Sequence, residues 1–342
     1  MINLKSLVRP NIWNLTPYSS ARDEFKGHAE VFLDANENPF GDFNRYPDPQ
    51  QRDIKKGLAV LKDVRTDQIF VGNGSDEVID LAFRIFCEPG QDKALTFSPT
   101  YGMYDVSANI NNITLIKQPL IRDFQIDLPA LKPVLQDNRL KLIFICSPNN
   151  PTGNSLNIKD IEFILDNFNG IVIIDEAYID FSSRVSFVQK TKTYSNLIVS
   201  QTFSKAWGLA GVRVGVAYAN SDIVNLYNRV KPPYNVSALN QKAVLNALQN
   251  KTIIDTNIEL ILKERDRLKQ RLASLKMVNK IYPSDANFVL INIDDASKVY
   301  KYLIDEHIII RNRSSQISNC IRITVGTPTE NDKLINALKK IS

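Results

Sequence analysis

Lys205 is preceded by hydroxyl residues at one and three positions before it, Ser204 and Thr202, and is followed eight positions later by Arg213. An amine can condense with an aldehyde, while two hydroxyls and a guanidinium can converge on a phosphate. Of the common cofactors, the one that asks for both is pyridoxal 5'-phosphate. Taken by itself the run is also a basic loop with glycines for turns. Further pieces of the same chemistry elsewhere in the chain favour the first reading.

Asp175 closes the apolar run Ile171-Val-Ile-Ile174, at the carboxyl end of an expected buried strand, where open α/β sheets place their ligands. A carboxylate there can pair with a protonated pyridine nitrogen and keep the ring an electron sink. Tyr178, three residues on, can hydrogen-bond a phenolic oxygen. Asn150, in Ser147-Pro-Asn-Asn-Pro-Thr-Gly153, can present an amide to that same oxygen from a loop that prolines and glycine stiffen. In Gly72-Asn-Gly-Ser-Asp-Glu77 the glycines admit an anion, and the N–H groups of Ser75 and Asp76 point outward at the positive end of a helix. The Gly-Lys-Ser/Thr ending of a P-loop is absent. Tyr101, in Ser98-Pro-Thr-Tyr-Gly-Met-Tyr104, can stack on a pyridine ring. Each piece also has a plainer explanation: a strand-end cap for Asp175, a turn for Asn150, a helix cap for the glycine run, a core aromatic for Tyr101 and Tyr178.

The elements that must carry these residues alternate. Apolar spacing predicts helices over Ser75–Phe86, Tyr101–Ala108 and Ile158–Asn167. Strands are expected at Lys93–Phe97, Leu142–Cys146, Ile171–Ile174 and Leu197–Val199, which implies a mainly parallel sheet covered on both faces. Near Lys231-Pro-Pro-Tyr234 the pattern changes to long helices over 237–249 and 255–275. Strand candidates Phe288–Ile291, Ile308–Ile310 and Ile321–Val325 follow, then a helix from about Glu330. The expected organisation is an arm over 1–30 that packs with the small domain, a large α/β domain over 31–236 and a smaller α+β domain over 237–342.

Composition sets the class. At 342 residues the chain exceeds one ordinary core, and with 44% hydrophobic and 23% charged residues it reads as a globular protein. A net charge of +5 spread along the chain suits small anions; no nucleic-acid motif or basic block stands out. The mixed-sign run 263–272 reads as a solvated helix face. Three separated cysteines among apolar neighbours read as free thiols in a reducing compartment. Two isolated histidines make a histidine-based metal site unexpected. The N-terminus lacks a signal-peptide core and no apolar run reaches membrane length, so a cytoplasmic protein with no membrane association is expected.

These runs, with Leu33-Asp-Ala-Asn-Glu-Asn-Pro39, Arg45-Tyr-Pro-Asp48 and Ile321-Arg-Ile-Thr-Val-Gly-Thr327, resemble the fold-type I pyridoxal-phosphate-dependent aminotransferases over nearly the whole chain. Tyr-Gly-Met-Tyr at 101–104 and the run 321–327 point to the histidinol-phosphate branch. The resemblance implies that Lys205 bonds the cofactor aldehyde and then works as general acid and base. Asp175 would hold the ring nitrogen, Tyr178 and Asn150 the phenolic oxygen. Ser75, Asp76, Thr202, Ser204 and Arg213 would surround the phosphate. Tyr46 would reach the cofactor phosphate of a neighbouring subunit, which implies a homodimer with shared sites. Arg322 would take the substrate α-carboxylate, Arg311 and Tyr18 would lie near a substrate phosphate, and Asn36 on the substrate-side loop. The expected reaction passes an amino group between glutamate and imidazole acetol phosphate, giving histidinol phosphate and 2-oxoglutarate. An aromatic aminotransferase, a decarboxylase of threonine phosphate and a non-catalytic cofactor-binding module remain alternatives. Thr202 stands where serine is frequent, which keeps the hydroxyl. The proline pair at 232–233 departs from the pattern, and the polar stretch between Arg311 and Arg322 leaves the register of Arg311 open.

Overall fold

β-branched and aromatic runs with no polar face are stable only when covered on both sides, and the chain arranges them that way. The computed structural model describes residues 3–18 and 31–341. Seven strands form the larger sheet: Ile69–Gly72 (β1), Lys93–Ser98 (β2), Thr114–Pro119 (β3), Leu140–Cys146 (β4), Ile171–Asp175 (β5), Leu197–Thr202 (β6) and Gly215–Ala219 (β7). Their spatial order is β1-β7-β6-β5-β4-β2-β3. Strands β3, β2, β4, β5 and β6 run parallel, whereas β7 is antiparallel to β6 and to β1.

Successive side chains alternate between the two faces. Leu95, Ile143, Val172 and Val199 pack on one side, together with Ile54 and Leu58 from the helix Arg52–Lys62 and Ile161 and Ile164 from the helix Ile158–Asn167. Phe144, Ile173 and Ile198 pack on the other, against Phe83 of the helix Ser75–Phe86 and Ile223 of the helix Ser221–Val230. A second sheet holds Val278–Ile281 (β8), Phe288–Ile293 (β9), Arg311–Asn312 (β10) and Cys320–Thr324 (β11). It is antiparallel throughout in the order β10-β11-β9-β8, and the helices Ala296–Asp305 and Pro328–Lys339 share its core. The fold is therefore α/β, a mainly parallel sheet between helices with a smaller α+β part, as the alternating pattern implies.

Several local expectations shift. The strand expected at Ile308–Ile310 lies at Arg311–Asn312, set by pairing of Arg311 with Arg322 and of Asn312 with Ile321. Ile309, an apparent strand residue, is 74% exposed. The helix expected from Tyr101 begins at Met103. The run 263–272 is not wholly a solvated face, because Arg265 turns inward and donates to the carbonyls of Phe181 and Ala286. The helix Ala238–Gln249 packs on Arg52–Lys62 and lends Val244 and Ala247 to the larger core. The next helix, Lys251–Ala273, spans both cores: Ile254 and Ile258 face the larger one, Leu268 and Leu272 the smaller.

Within the arm expected over 1–30, residues 1–2 and 19–30 lie outside the described residues. Residues 3–18 contain the helical turns Leu4–Leu7 and Pro10–Trp13. Val8, after the first turn, and Ile12, in the second, bury in the same core as residues of the helices Ser75–Phe86 and Ser221–Val230. Arg9 bonds Glu88, and Arg229 donates to the carbonyl of Trp13. This part of the arm thus sits on the helix layer of the larger sheet, not on the smaller one. The proline pair acquires a structural account as well: the buried Lys231 Nζ donates to the carbonyls of Pro49 and Pro233 (2.9 Å each) and of Pro232 (3.3 Å). Among the described residues no helix is long and apolar enough to cross a membrane.

Candidate active site

Parallel strands bring their carboxyl ends to one edge, so the residues after β2, β4, β5 and β6 meet there. A cleft of about 540 Å³ opens at that edge. Asp175, Tyr178, Asn150 and Tyr101 line its floor. Ser75, Asp76, Thr202, Ser204 and Arg213 line one end, and Arg311 and Arg322 enter from the smaller sheet. Lys205 projects into the middle, with Nζ 5.8 Å from the centre of the Tyr178 ring.

Asp175 is almost fully buried, and burial pushes its carboxyl above the usual range. Opposing this, the Tyr104 hydroxyl donates to its Oδ2 (2.8 Å) and the Ala177 N–H to its Oδ1 (3.0 Å). Lys205 is shifted the other way. Desolvation by the cleft walls lowers its ammonium below the usual lysine range, and the Arg322 guanidinium lowers it further, while Asp175 pulls it back. The amine is thereby poised to lose its proton and act as a nucleophile or base. Burial holds the Tyr178 phenol well above its ordinary value, so it stays a neutral donor. Tyr178 Oη accepts from Asn150 Nδ2 at 3.3 Å, and Asn150 Oδ1 accepts from Arg322 Nη1.

The phosphate end is a helix N-terminus that no side chain caps. Gly74 precedes it at φ +77°, a conformation that favours glycine, and a Cβ there would lie 2.8 Å from Arg213 Nη2. Gly215 of β7 passes so close that a Cβ would meet the Ser75 backbone nitrogen at 2.2 Å. Arg213 donates to Ser204 Oγ (3.1 Å) and pairs with Asp76 (3.4 Å). The Asp76 carboxylate also accepts from the Tyr101 hydroxyl (3.1 Å), so the group Asp76 offers an incoming anion is its backbone N–H.

Twelve of the residues singled out from sequence share this cleft. Three do not. Asn36 and Tyr46 line a separate groove, in which Tyr46 stacks on Tyr234 with ring centres 4.4 Å apart. Tyr18 is exposed and outside the cleft. Two residues in the neighbourhood went unmarked. Tyr104 sits in the quoted Tyr-Gly-Met-Tyr motif, three residues after Tyr101, and the two rings meet edge to face at 5.7 Å. Arg313 also lines the cleft, placed there by a strand pairing no local pattern shows.

A family model described as aminotransferase class I and II matches residues 15–338. The chain belongs to that family. It is 52% identical to the histidinol-phosphate aminotransferase of Parabacteroides distasonis, over 100% of this chain and 99% of that one. With the enzyme of the same name from Cytophaga hutchinsonii it shares 50% identity over 98% and 99% of the two chains. The crystal structure of the histidinol-phosphate aminotransferase from Clostridium acetobutylicum superposes with a TM-score of 0.80 at 26% identity, covering 88% of this chain and 91% of that one.

This aminotransferase's own residues fit pyridoxal 5'-phosphate. An uncapped helix N-terminus ringed by two hydroxyls and a guanidinium suits a phosphate, and Gly74 and Gly215 keep that cradle free of Cβ atoms. A buried carboxylate suits a pyridinium, Tyr178 and Asn150 a phenolic oxygen, and a depressed lysine an aldehyde.

Proposed function

We propose that this aminotransferase exchanges an amino group between glutamate and imidazole acetol phosphate, giving histidinol phosphate and 2-oxoglutarate, a step of histidine biosynthesis. The observation that carries the reading is one cleft in which Lys205 and Asp175 face Arg311 and Arg322, in a chain alike over its whole length to enzymes of that name. When bound, pyridoxal 5'-phosphate supplies an aldehyde for the amino group and a ring that accepts the electrons left on the substrate's α-carbon.

The chain's residues supply the rest. Ser75 and Asp76 N–H groups, Thr202, Ser204 and Arg213 hold the cofactor phosphate; Asp175 holds the ring nitrogen, and Tyr101 offers a stacking face. Arg322 takes the α-carboxylate in a two-pronged pair, which orients the α-hydrogen towards Lys205. Lys205 Nζ would remove that proton as a base and, once protonated, would return it as an acid on the far side of the amino nitrogen. The same steps reversed serve the second substrate, hence ping-pong kinetics. Arg311 serves both the γ-carboxylate of glutamate and the phosphate of the partner substrate, since a guanidinium pairs with either.

The reading extends to assembly and organisation. Leu33, Phe40, Phe43, Tyr46 and Leu239 expose large apolar surfaces around the Asn36 groove, which supports a homodimer in which Tyr46 and Asn36 serve the neighbouring subunit's cleft, with Tyr18 contributing from the arm. The packing of Lys251–Ala273 across both cores supports a boundary between large and small domains inside that helix, later than residue 236. The expected location is the cytoplasm.

Half-reactions with histidinol phosphate, phenylalanine and threonine phosphate, followed by cofactor absorbance in the purified protein, test the substrate. A change with histidinol phosphate is expected, and its absence overturns the assignment. Lys205→Ala should abolish turnover and the absorbance of the lysine-bonded cofactor; retained turnover would refute the role of Lys205.

A further inference from the structure

The pairing of β10 with β11 sets Arg311 directly opposite Arg322. Like charges directly opposed on neighbouring strands destabilise a sheet. Arg313 lies two residues beyond Arg311, so it shares that face, and its N–H continues the ladder to the Cys320 carbonyl at 2.8 Å. Three guanidiniums therefore crowd one wall of the cleft. Among the described residues no carboxylate acts on Arg313: the charges acting on it are Arg322 and Arg311, with the Tyr178 phenol opposing them. Burial first, then these two cations, push the Arg313 guanidinium down to about 10, which leaves it charged at neutral pH. Among the described residues the buried Nε atoms of Arg313 and Arg322 have no hydrogen-bond partner. Of the other basic groups of the cleft, Arg213 pairs with Asp76, and Lys205 is shifted towards its neutral form by desolvation and by Arg322.

A wall with three unmatched positive charges is complementary to three negative ones. The α-carboxylate supplies one. A phosphate monoester supplies close to two at neutral pH, whereas the γ-carboxylate of glutamate supplies one. We propose that Arg313 joins Arg311 in a two-guanidinium clamp for the doubly charged end of the substrate, and that Arg313 is the residue favouring phosphate over carboxylate there. Arg311 alone satisfies the carboxylate, so one cation is in excess when glutamate is bound and matched when the phosphate is. This proposal rests on the substrate reading above and deepens it.

The test compares Arg313→Gln and Arg313→Lys with the unaltered holoenzyme in the two half-reactions. Losing a charged hydrogen bond to the phosphate should lower kcat/KM for histidinol phosphate by about tenfold to a hundredfold, mostly through KM. The value for glutamate should change by less than about threefold, since Arg311 and Arg322 still pair its carboxylates. Arg313→Lys keeps the charge but loses the fork, and should fall between; it also makes the comparison if the glutamine variant folds poorly. In the unaltered enzyme KM for histidinol phosphate should rise as pH falls through the phosphate's second ionisation near about 6. That dependence should flatten in Arg313→Gln. Equal losses for both substrates, or no loss for either, would overturn the clamp. Failure of the unaltered enzyme to react with histidinol phosphate would instead overturn the substrate reading.

Discussion

Lys205 lies between opposed electrical influences, and their balance has a sign that can be measured. Desolvation and the Arg322 cation favour the neutral amine; Asp175 favours the ammonium. The first two win, so the neutral form is populated at lower pH than for a lysine in water. In the cofactor-free protein, the rate of labelling of Lys205 by a small aldehyde should rise with pH to a midpoint below 10.5, its ordinary value. Arg322→Gln removes a neighbouring positive charge, so the midpoint should move upward. Peptide mapping of the labelled lysine across a pH series checks both; a downward move in the variant would show that Arg322 acts on Lys205 by something other than its charge.

At the scale of elements, the phosphate cradle depends on how closely β7 approaches the start of the helix Ser75–Phe86. A Cβ at Gly215 would fall within 2.7 Å of three backbone atoms of Gly74 and Ser75, which cannot swing aside as a side-chain tip could. Gly215→Ala should therefore displace the helix start. It is expected to cost about 1–3 kcal/mol of stability, the usual range for overpacking, and to weaken cofactor retention. Thermal melting with and without cofactor, with dialysis to measure retention, checks this; an unchanged melting temperature would mean that the helix start yields without strain. The glycine's neighbours in sequence gave no hint of this contact, which joins residues from opposite ends of the larger sheet's chain path. The same limit explains what could and could not be read beforehand. Runs such as Leu142–Cys146 and Ile171–Ile174 stand out because central strands are apolar on both faces. The edge strands β3, TLIKQP, and β8, VNKI, mix polar residues freely because solvent meets one side, so no run marks them. Strand β7, GVAYA, is buried, but its glycine and two alanines interrupt the β-branched and aromatic run by which a strand is read. Cofactor-end residues sit on conspicuous turns and were found from spacing. Arg313 owes its place to a cross-strand register, and Tyr104 its bond to Asp175 to a reach of 71 residues along the chain; spacing encodes neither of these contacts.

At the scale of the whole molecule, the two sheets are tied beside the cleft. The Asp285 N–H donates to the Gly153 carbonyl (2.7 Å) and Ser155 Oγ donates to Asp285 (2.5 Å), joining the Asn150 loop to the approach of β9. Arg265 adds bonds to carbonyls on both sides of the junction. Asp285→Ala removes the carboxylate that accepts from the Ser155 hydroxyl and N–H, so hydrogen exchange at the Ser155 amide should rise while amides in β5 and β6 keep their protection. Exchange measured by mass spectrometry would decide this, and uniform acceleration across both sheets would contradict a local tie. The helix Lys251–Ala273, 23 residues and about 34 Å long, carries the matter further. Its first half is apolar towards one core and its second half towards the other. A fragment cut just before Lys251 would therefore take Ile254 and Ile258 away from their cover, leaving a sticky strip on a piece otherwise complete in its own core. The smaller sheet is no detachable module: expressed alone it would tend to self-associate, because half of the beam it stands on was shaped to fit the other half of the protein.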